Sequence, residues 1–298
     1  MSEALDLLGI AKALAEATRH LGAPWDSWQA AEGAARDSQL ELLRRLCALE
    51  RDAERIPEIR AWVRRTAEEI NEILAAEGFN IRLSPWPDDG SFGVLSIFEL
   101  LVEWLDVGDK VSVKAREGER SFPGFRLDCD RHGPEFYDAG FAEPVVVLPT
   151  RSEDRVCLHV TTEAAKGFAL YERVAELKKG RVRRIHFDDV SIPQVKLRLE
   201  PDISWLQDLA LPEAIAPPGF SIGQARQEVR FGMNERGAKA KTANLMAALA
   251  MGIPSPPKHY IVDAPFLLWI ERPKIETPLF VAYVTEDDWQ AVESLDQI

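Results

Sequence analysis

The chain has 298 residues, 46% of them hydrophobic and 29% charged, with 36 lysines and arginines against 49 aspartates and glutamates. The resulting net charge of −13 argues against non-specific binding to nucleic acid or to an anionic membrane, since both need excess positive charge. No segment approaches the roughly 20 apolar residues that span a bilayer, and Glu3 and Asp6 stand where a secretory leader places lysines or arginines. Cys47, Cys129 and Cys157 are odd in number and widely spaced, as reduced thiols are. The expectation is a soluble, cytoplasmic, monomeric protein.

In chain order, residues 1–78 read as a helical N-terminal region. "SQLELLRRLCALERDAERI" sets Leu40, Leu43, Leu46, Cys47 and Ile56 near one stripe, and "PEIRAWVRRTAEEINEILAAEG" repeats the spacing with Ile59, Val63, Ile70 and Leu74. Pro57 stands at a helix start and Gly78 at a helix end. "FNIRLSPWPDDG" predicts a short strand and a turn. "SFGVLSIFELLVEWLDVG" then returns to helix spacing, with Ile97, Leu101, Trp104 and Leu105 on one face.

After residue 108 the texture is that of strands. "KVSVKAR" alternates, "PVVVLP" and "RVCLHVTT" are β-branched, and "IHFDDVSIPQVKLRLEP" alternates over a long stretch. A short helix, "DISWLQDLAL", precedes "ARQEVRFGM". The apolar runs "APFLLWIER" and "PLFVAYVTE" read as adjacent buried strands. Helices first and strands later predict an α+β architecture, with residues 79–298 as an α+β domain that packs with the helices.

Between those strands lies "NERGAKAKTANLMAALAMGIPSPP", a run too small in its apolar side chains to fill a core. Alone, it reads as a surface helix, because alanines favour helix and Leu245, Met246 and Leu249 share a face. At period two, one face is Ala238, Ala240, Thr242, Asn244, Met246 and Ala248, an alternation that also permits insertion between packed strands. Gly237 supplies a flexible start, and Pro254, Pro256 and Pro257 an extended exit.

The motifs from residue 185 to 285 resemble, in order, those of the serpins, the serine-protease-inhibitor fold. "VSIPQVKLRLEPDISWLQDLAL" looks like that family's strand with an internal proline leading into a short helix. "QEVRFGMNERGAKAK" looks like the strand entering the hinge of the reactive loop, and "PPKHYIVDAPFLLWIERPKIETPLFVAYVTED" like the closing strand pair. "FAEPVVVLPTRSEDRVCLHVTT" resembles the central hairpin; "NIRLSP" with "LSIFELLVEWLDVG" resembles the early strand and second helix, the register that helical spacing favours, while "RAWVRRTAEEI" and Trp104 alternatively match a later helix and strand. The chain is shorter than a usual serpin. The resemblance implies a serpin-like protease inhibitor with a reactive loop at residues 235–257.

In such a mechanism the loop is bait: a protease cuts it, and the freed strand enters a sheet, dragging the acyl-enzyme with it. The hinge would comprise Glu235, Arg236, Gly237, Ala238, Ala240 and Thr242, and the scissile bond would join Met251 to Gly252. Methionine there implies a target serine or cysteine protease with an apolar primary pocket. No catalytic residue, cofactor or metal is implied, and the chain is not an enzyme. Gln227 replaces the family's usual histidine beneath the loop, and Lys239 and Lys241 put charge in the hinge. Those departures point to the alternative, a non-inhibitory binding or structural module.

Two further clusters stand out. Cys129, His132, Cys157 and His159 are metal-ligand types, but "VCLHV" alternates as a packed strand does. Lys178, Lys179, Arg181, Arg183 and Arg184 form a basic run that reads as a solvated turn, or as a polyanion patch.

Overall fold

A computed structural model describes residues 1–30, 36–86, 91–213, 215, 221–237 and 258–295. The regular elements begin with β1 (Glu3–Leu5), α1 (Leu7–Leu21), α2 (Arg36–Glu54), β2 (Ile59–Arg64), α3 (Ala67–Ala76), β3 (Gly93–Phe98), β4 (Asp109–Lys114) and β5 (Ser121–Asp128). Next come α4 (Cys129–His132), β6 (Glu135–Asp138), β7 (Val145–Pro149), β8 (Arg155–Val160), α5 (Phe168–Gly180) and β9 (Arg183–Ile185). The last are β10 (Asp189–Pro193), β11 (Val195–Leu199), β12 (Val229–Met233), β13 (His259–Ile261), β14 (Phe266–Glu271) and β15 (Phe280–Val284). Helices and sheets are both abundant, as the α+β reading requires. The chain divides into two compact units, one of Leu5–Leu100 and Leu199–Val229, the other of Met1–Ala4, Leu101–Arg198 and Arg230–Ile298.

In the first unit, α1 buries Leu7, Leu8, Ala11, Leu14 and Ala15 along one stripe. Its first turn is capped by Asp6, whose Oδ1 accepts from Gly9 N at 2.8 Å, and it ends at Gly22 in the left-handed conformation. Lys12 and Arg19 both reach Glu54 at 2.8 Å and tie α1 to α2. A reciprocal Thr66–Glu69 capping box opens α3. The helix packs Ile70 and Leu74 against Ile81, Leu95 and Ile97.

Two stretches read as helical are strands. Residues 59–64 and 93–98 pair antiparallel, with Ile59 opposite Phe98 and Arg64 opposite Gly93. The alternation that decides this is in β3, where Gly93, Leu95 and Ile97 are buried and the residues between them are not. Helix spacing at Ile97, Leu101, Trp104 and Leu105 is coincidental, since Leu101 and Leu105 are 57% and 42% exposed. Pro57 lies in the turn before β2 rather than at a helix start, whereas Gly78, at φ 81°, does terminate α3. The strand expected at residues 79–84 is extended chain without a ladder. Side chains satisfy it: Glu228 accepts from Asn80 N and Ile81 N, Asn71 makes two bonds to Leu83, and Gln224 makes two to Ser84.

The second unit holds a seven-stranded sheet in the order β1-β15-β14-β8-β7-β6-β9. The two apolar runs expected to be neighbours are so: Phe266 pairs with Val284 and Ile270 with Phe280. Every residue from Phe266 to Ile270 is at most 3% exposed, which is why this strand is apolar throughout rather than alternating. Each such side chain contributes roughly 1.5–3 kcal/mol of burial. The β7–β8 pair forms the expected hairpin, with Val145 opposite His159. A four-stranded sheet runs β13-β10-β5-β4, and among the described residues β11 and β12 form a separate two-stranded pair.

Candidate functional site

The residues from Ala238 to Pro257 lie outside the described residues, and with them Ala238, Ala240, Thr242, Met251 and Gly252. What is described is the chain entering and leaving that segment, all of it in the second unit.

On entry, β12 ends at the buried residues Met233, Asn234 and Glu235. Asn234 accepts from the Trp104 indole through its carbonyl at 2.9 Å, donates its side-chain amide to Val292 O at 2.9 Å, and caps Arg236 N with Oδ1. Glu235 accepts from Gln194 Nε2 at 3.0 Å and faces Lys110 Nζ at 3.2 Å, while its carbonyl accepts from Gly108 N. Gln194 completes the ring by accepting from Val292 N at 2.8 Å. Thus a 4% exposed carboxylate has both oxygens partnered, without which its burial would be costly.

Gly237 follows at φ 46° and forms an isolated antiparallel bridge to Glu103. A Cβ there would sit 2.3 Å from Trp104 N and 2.9 Å from Glu103 Cα, so only glycine fits. Residues 103–105 are fixed on their other side by a bridge from Trp104 to Thr150 and by Arg151, which donates to the carbonyls of Glu103, Trp104 and Leu105. Trp104 also stacks on Phe125.

On exit, β13 lies parallel to β10, His259 opposite Asp189 and Ile261 opposite Ser191. Asp188 accepts from Lys258 N at 2.6 Å, which holds its carboxyl below the usual range, and Asp188 N returns a bond to Lys258 O. His259 Nδ1 meets Asp189 Oδ2 at 2.8 Å. Tyr260 is buried against Phe136 and Phe187, and its hydroxyl donates to Glu143 at 3.1 Å. Burial, then Glu143, push that phenol well above the ordinary tyrosine range.

The four metal-ligand types do not converge. Cys129 Sγ donates to Phe187 O, and His132 sits between Asp128 N and Val107 O. Cys157 is fully buried in β8, and His159 faces Pro144 O. Among the described residues there is no group of three or more His, Cys, Asp or Glu able to hold a metal. Burial pushes the Cys129 thiol up to about 11 and the Cys157 thiol higher, so neither is a reactive thiolate. Nor, among those residues, is any helix long and apolar enough to cross a membrane.

No protein-family model matches the sequence, and no curated protein does. Solved structures do. A thyroxine-binding globulin in complex with thyroxine aligns over 97% of this chain and 93% of its own, with a TM-score of 0.60 and 11% identity. The mouse protein-Z dependent protease inhibitor aligns over 95% and 90%, at 0.56 and 14% identity. Serpin48, a highly specific serpin of the insect Tenebrio molitor, aligns over 95% and 91%, at 0.50 and 14% identity. The fold is serpin-like. The alignment extends well beyond the residues that carry the sequence resemblance, into the N-terminal third where the helix spacing misled. Sequence pattern located Glu235, Arg236 and Gly237 at this entry point. It did not single out Gln194, Lys110 or Val292, because nothing local marks a residue as a partner in a long-range ring.

Proposed function

We propose that this serpin-like chain is a protease inhibitor that acts as a suicide substrate, offering the bond between Met251 and Gly252 to a protease with an apolar primary pocket. The observation that carries the reading is the built entry point. Gly237 bridges Glu103 where no side chain fits, two residues after a carboxylate whose burial is compensated on both oxygens. Such a hinge holds one end of the segment beside residues 103–105 while β13 holds the other, and the 20 residues between can be cut without loosening either anchor. The chain then supplies bait and a receiving edge rather than catalysis. The three free cysteines fit a reducing, cytoplasmic setting.

The alternative, a binding or structural module that traps nothing, draws on a different observation. Among the described residues β12 is paired only with β11, and Gln227 exchanges bonds with the backbone of Asp6. Incubation with an elastase-like serine protease separates the two. Inhibition gives an SDS-resistant complex of the two chains that Met251→Asp abolishes. Cleavage after Met251 with full recovery of protease activity would favour the module.

A further inference from the structure

Buried carboxylates of the second unit are partnered in two different ways. Asp154, 2% exposed, is gripped by the Arg272 guanidinium at 2.7 and 2.8 Å, and Glu235 is held by Gln194 and Lys110. Arginine, lysine and glutamine keep their charge state from pH 5 to 8. Asp189 differs. It is 6% exposed; its Oδ2 meets His259 Nδ1 at 2.8 Å, while Oδ1 is buried with no hydrogen-bond partner among the described residues. That buried carboxylate therefore depends on an imidazole, which is half-exposed and able to change its charge.

The pair lies where it acts on a whole element. His259 opens β13, a three-residue strand at the edge of its sheet, and stands directly opposite Asp189 in the ladder to β10. Asp188 accepts from Lys258 N and meets His186 Nε2 at 3.3 Å, and Asp128 of β5 stands opposite Asp189 in the next ladder. The Cys129 thiol nearby, pushed up to about 11 by burial, stays protonated. Elsewhere around β13, Tyr260 donates to Glu143, and Arg116 bridges Glu143 at 2.7 Å and Asp263 at 2.8 Å. Of these residue types only histidine ordinarily changes charge between pH 5 and 8. His186 sits on the exposed Asp188, where water screens the pair, whereas His259 touches the buried carboxylate.

We infer that His259 and Asp189 form a pH-dependent clasp on β13, which tightens in acid and slackens as the imidazole loses its proton. Protonated, the ring sets a full positive charge against a carboxylate that water reaches poorly, in a charge-assisted hydrogen bond. Neutral, it leaves one ordinary hydrogen bond and an uncompensated buried charge, which is costly. The contribution is therefore complete in acid and is lost as pH rises through the histidine range. Because β13 is where the chain leaves segment 238–257, the clasp sets how firmly that exit is held at a given pH. The inference holds whether or not a protease cuts the segment.

The test is amide exchange of the intact protein at pH 5.5 and pH 8.0, each rate divided by the intrinsic rate at that pH, with β14 as internal reference. Val262 N, which donates to Ser191 O, and the amides of β13 should be about tenfold better protected at pH 5.5, the scale of one charge-assisted contact made and lost. Protection in β14 should not follow. Asp6, with its carboxyl raised to about 6, titrates in the same range but in the other unit, and the reference strand separates any global effect it has. His259→Gln, which keeps a neutral donor, and Asp189→Asn, which removes the charge, should each abolish the difference, and His186→Gln should retain it. Equal protection at the two pH values would overturn the inference. So would a difference that survives His259→Gln, is lost in His186→Gln, or is shared by β14.

Discussion

At Gly237 the backbone is left-handed and the space for a side chain is filled by the main chain of Glu103 and Trp104. Gly237→Ala should therefore destabilise the protein by about 2 kcal/mol, combining the conformational cost with displacement of a packed backbone. Chemical denaturation measures this, and an unchanged midpoint would mean the bridge to Glu103 is not held. Asp6 is the residue whose charge is worst placed. Burial beneath the first turn of α1 raises its carboxyl to about 6 even though Gly9 N hydrogen-bonds it. The neutral form is thus favoured by folding, so its contribution is complete below about pH 4 and is lost as pH rises through about 6. Asp6→Asn keeps the cap and removes the charge. It should stabilise the protein by on the order of 1 kcal/mol at pH 7.5 and by nothing at pH 4, as read from denaturation midpoints at the two values.

The elements differ in how far their own sequence specifies them. The hairpin β7–β8 and the pair β14–β15 announce themselves, because strands buried on both faces must be apolar and β-branched residue after residue. By contrast, β2 reads Ile-Arg-Ala-Trp-Val-Arg, and its strand identity comes from β3 across the ladder and from Arg60 reaching Glu77 and Glu99. Those partners are distant in sequence, so no window of residues reveals them. The same holds at the end of β12: the serpin resemblance singled out Glu235 and Gly237 as a proposed hinge, whereas nothing local marked Trp104, Gln194 and Val292, which hold Asn234 and Glu235 in place. On the exit side, β13 is only three residues long, and its hold rests on Tyr260. Tyr260→Ala should cost about 3 kcal/mol and strip amide-exchange protection from residues 259–261 ahead of β10. Retained protection in β13 would show that the Lys258 and His259 contacts suffice.

For the whole molecule, the fold was partly legible. The order of motifs from residue 185 onward carried the serpin resemblance, and the solved structures extend that likeness across more than nine-tenths of the chain at 10–14% identity. Identity that low preserves the packing of layers and the path between them, not a scissile bond or a partner. What the segment 238–257 does after cleavage is therefore the decisive property. Under the proposed mechanism, the intact chain would be metastable with respect to one in which the cut strand has joined a sheet. The direct measurement is the melting curve of protein cut after Met251, with the cut verified by mass, against that of intact protein. Insertion requires the cut form to melt at least about 10 °C higher, since a new internal strand adds several kcal/mol at roughly 2–4 °C each. A cut form that melts at or below the intact temperature would contradict insertion and leave a serpin-like scaffold without the trap.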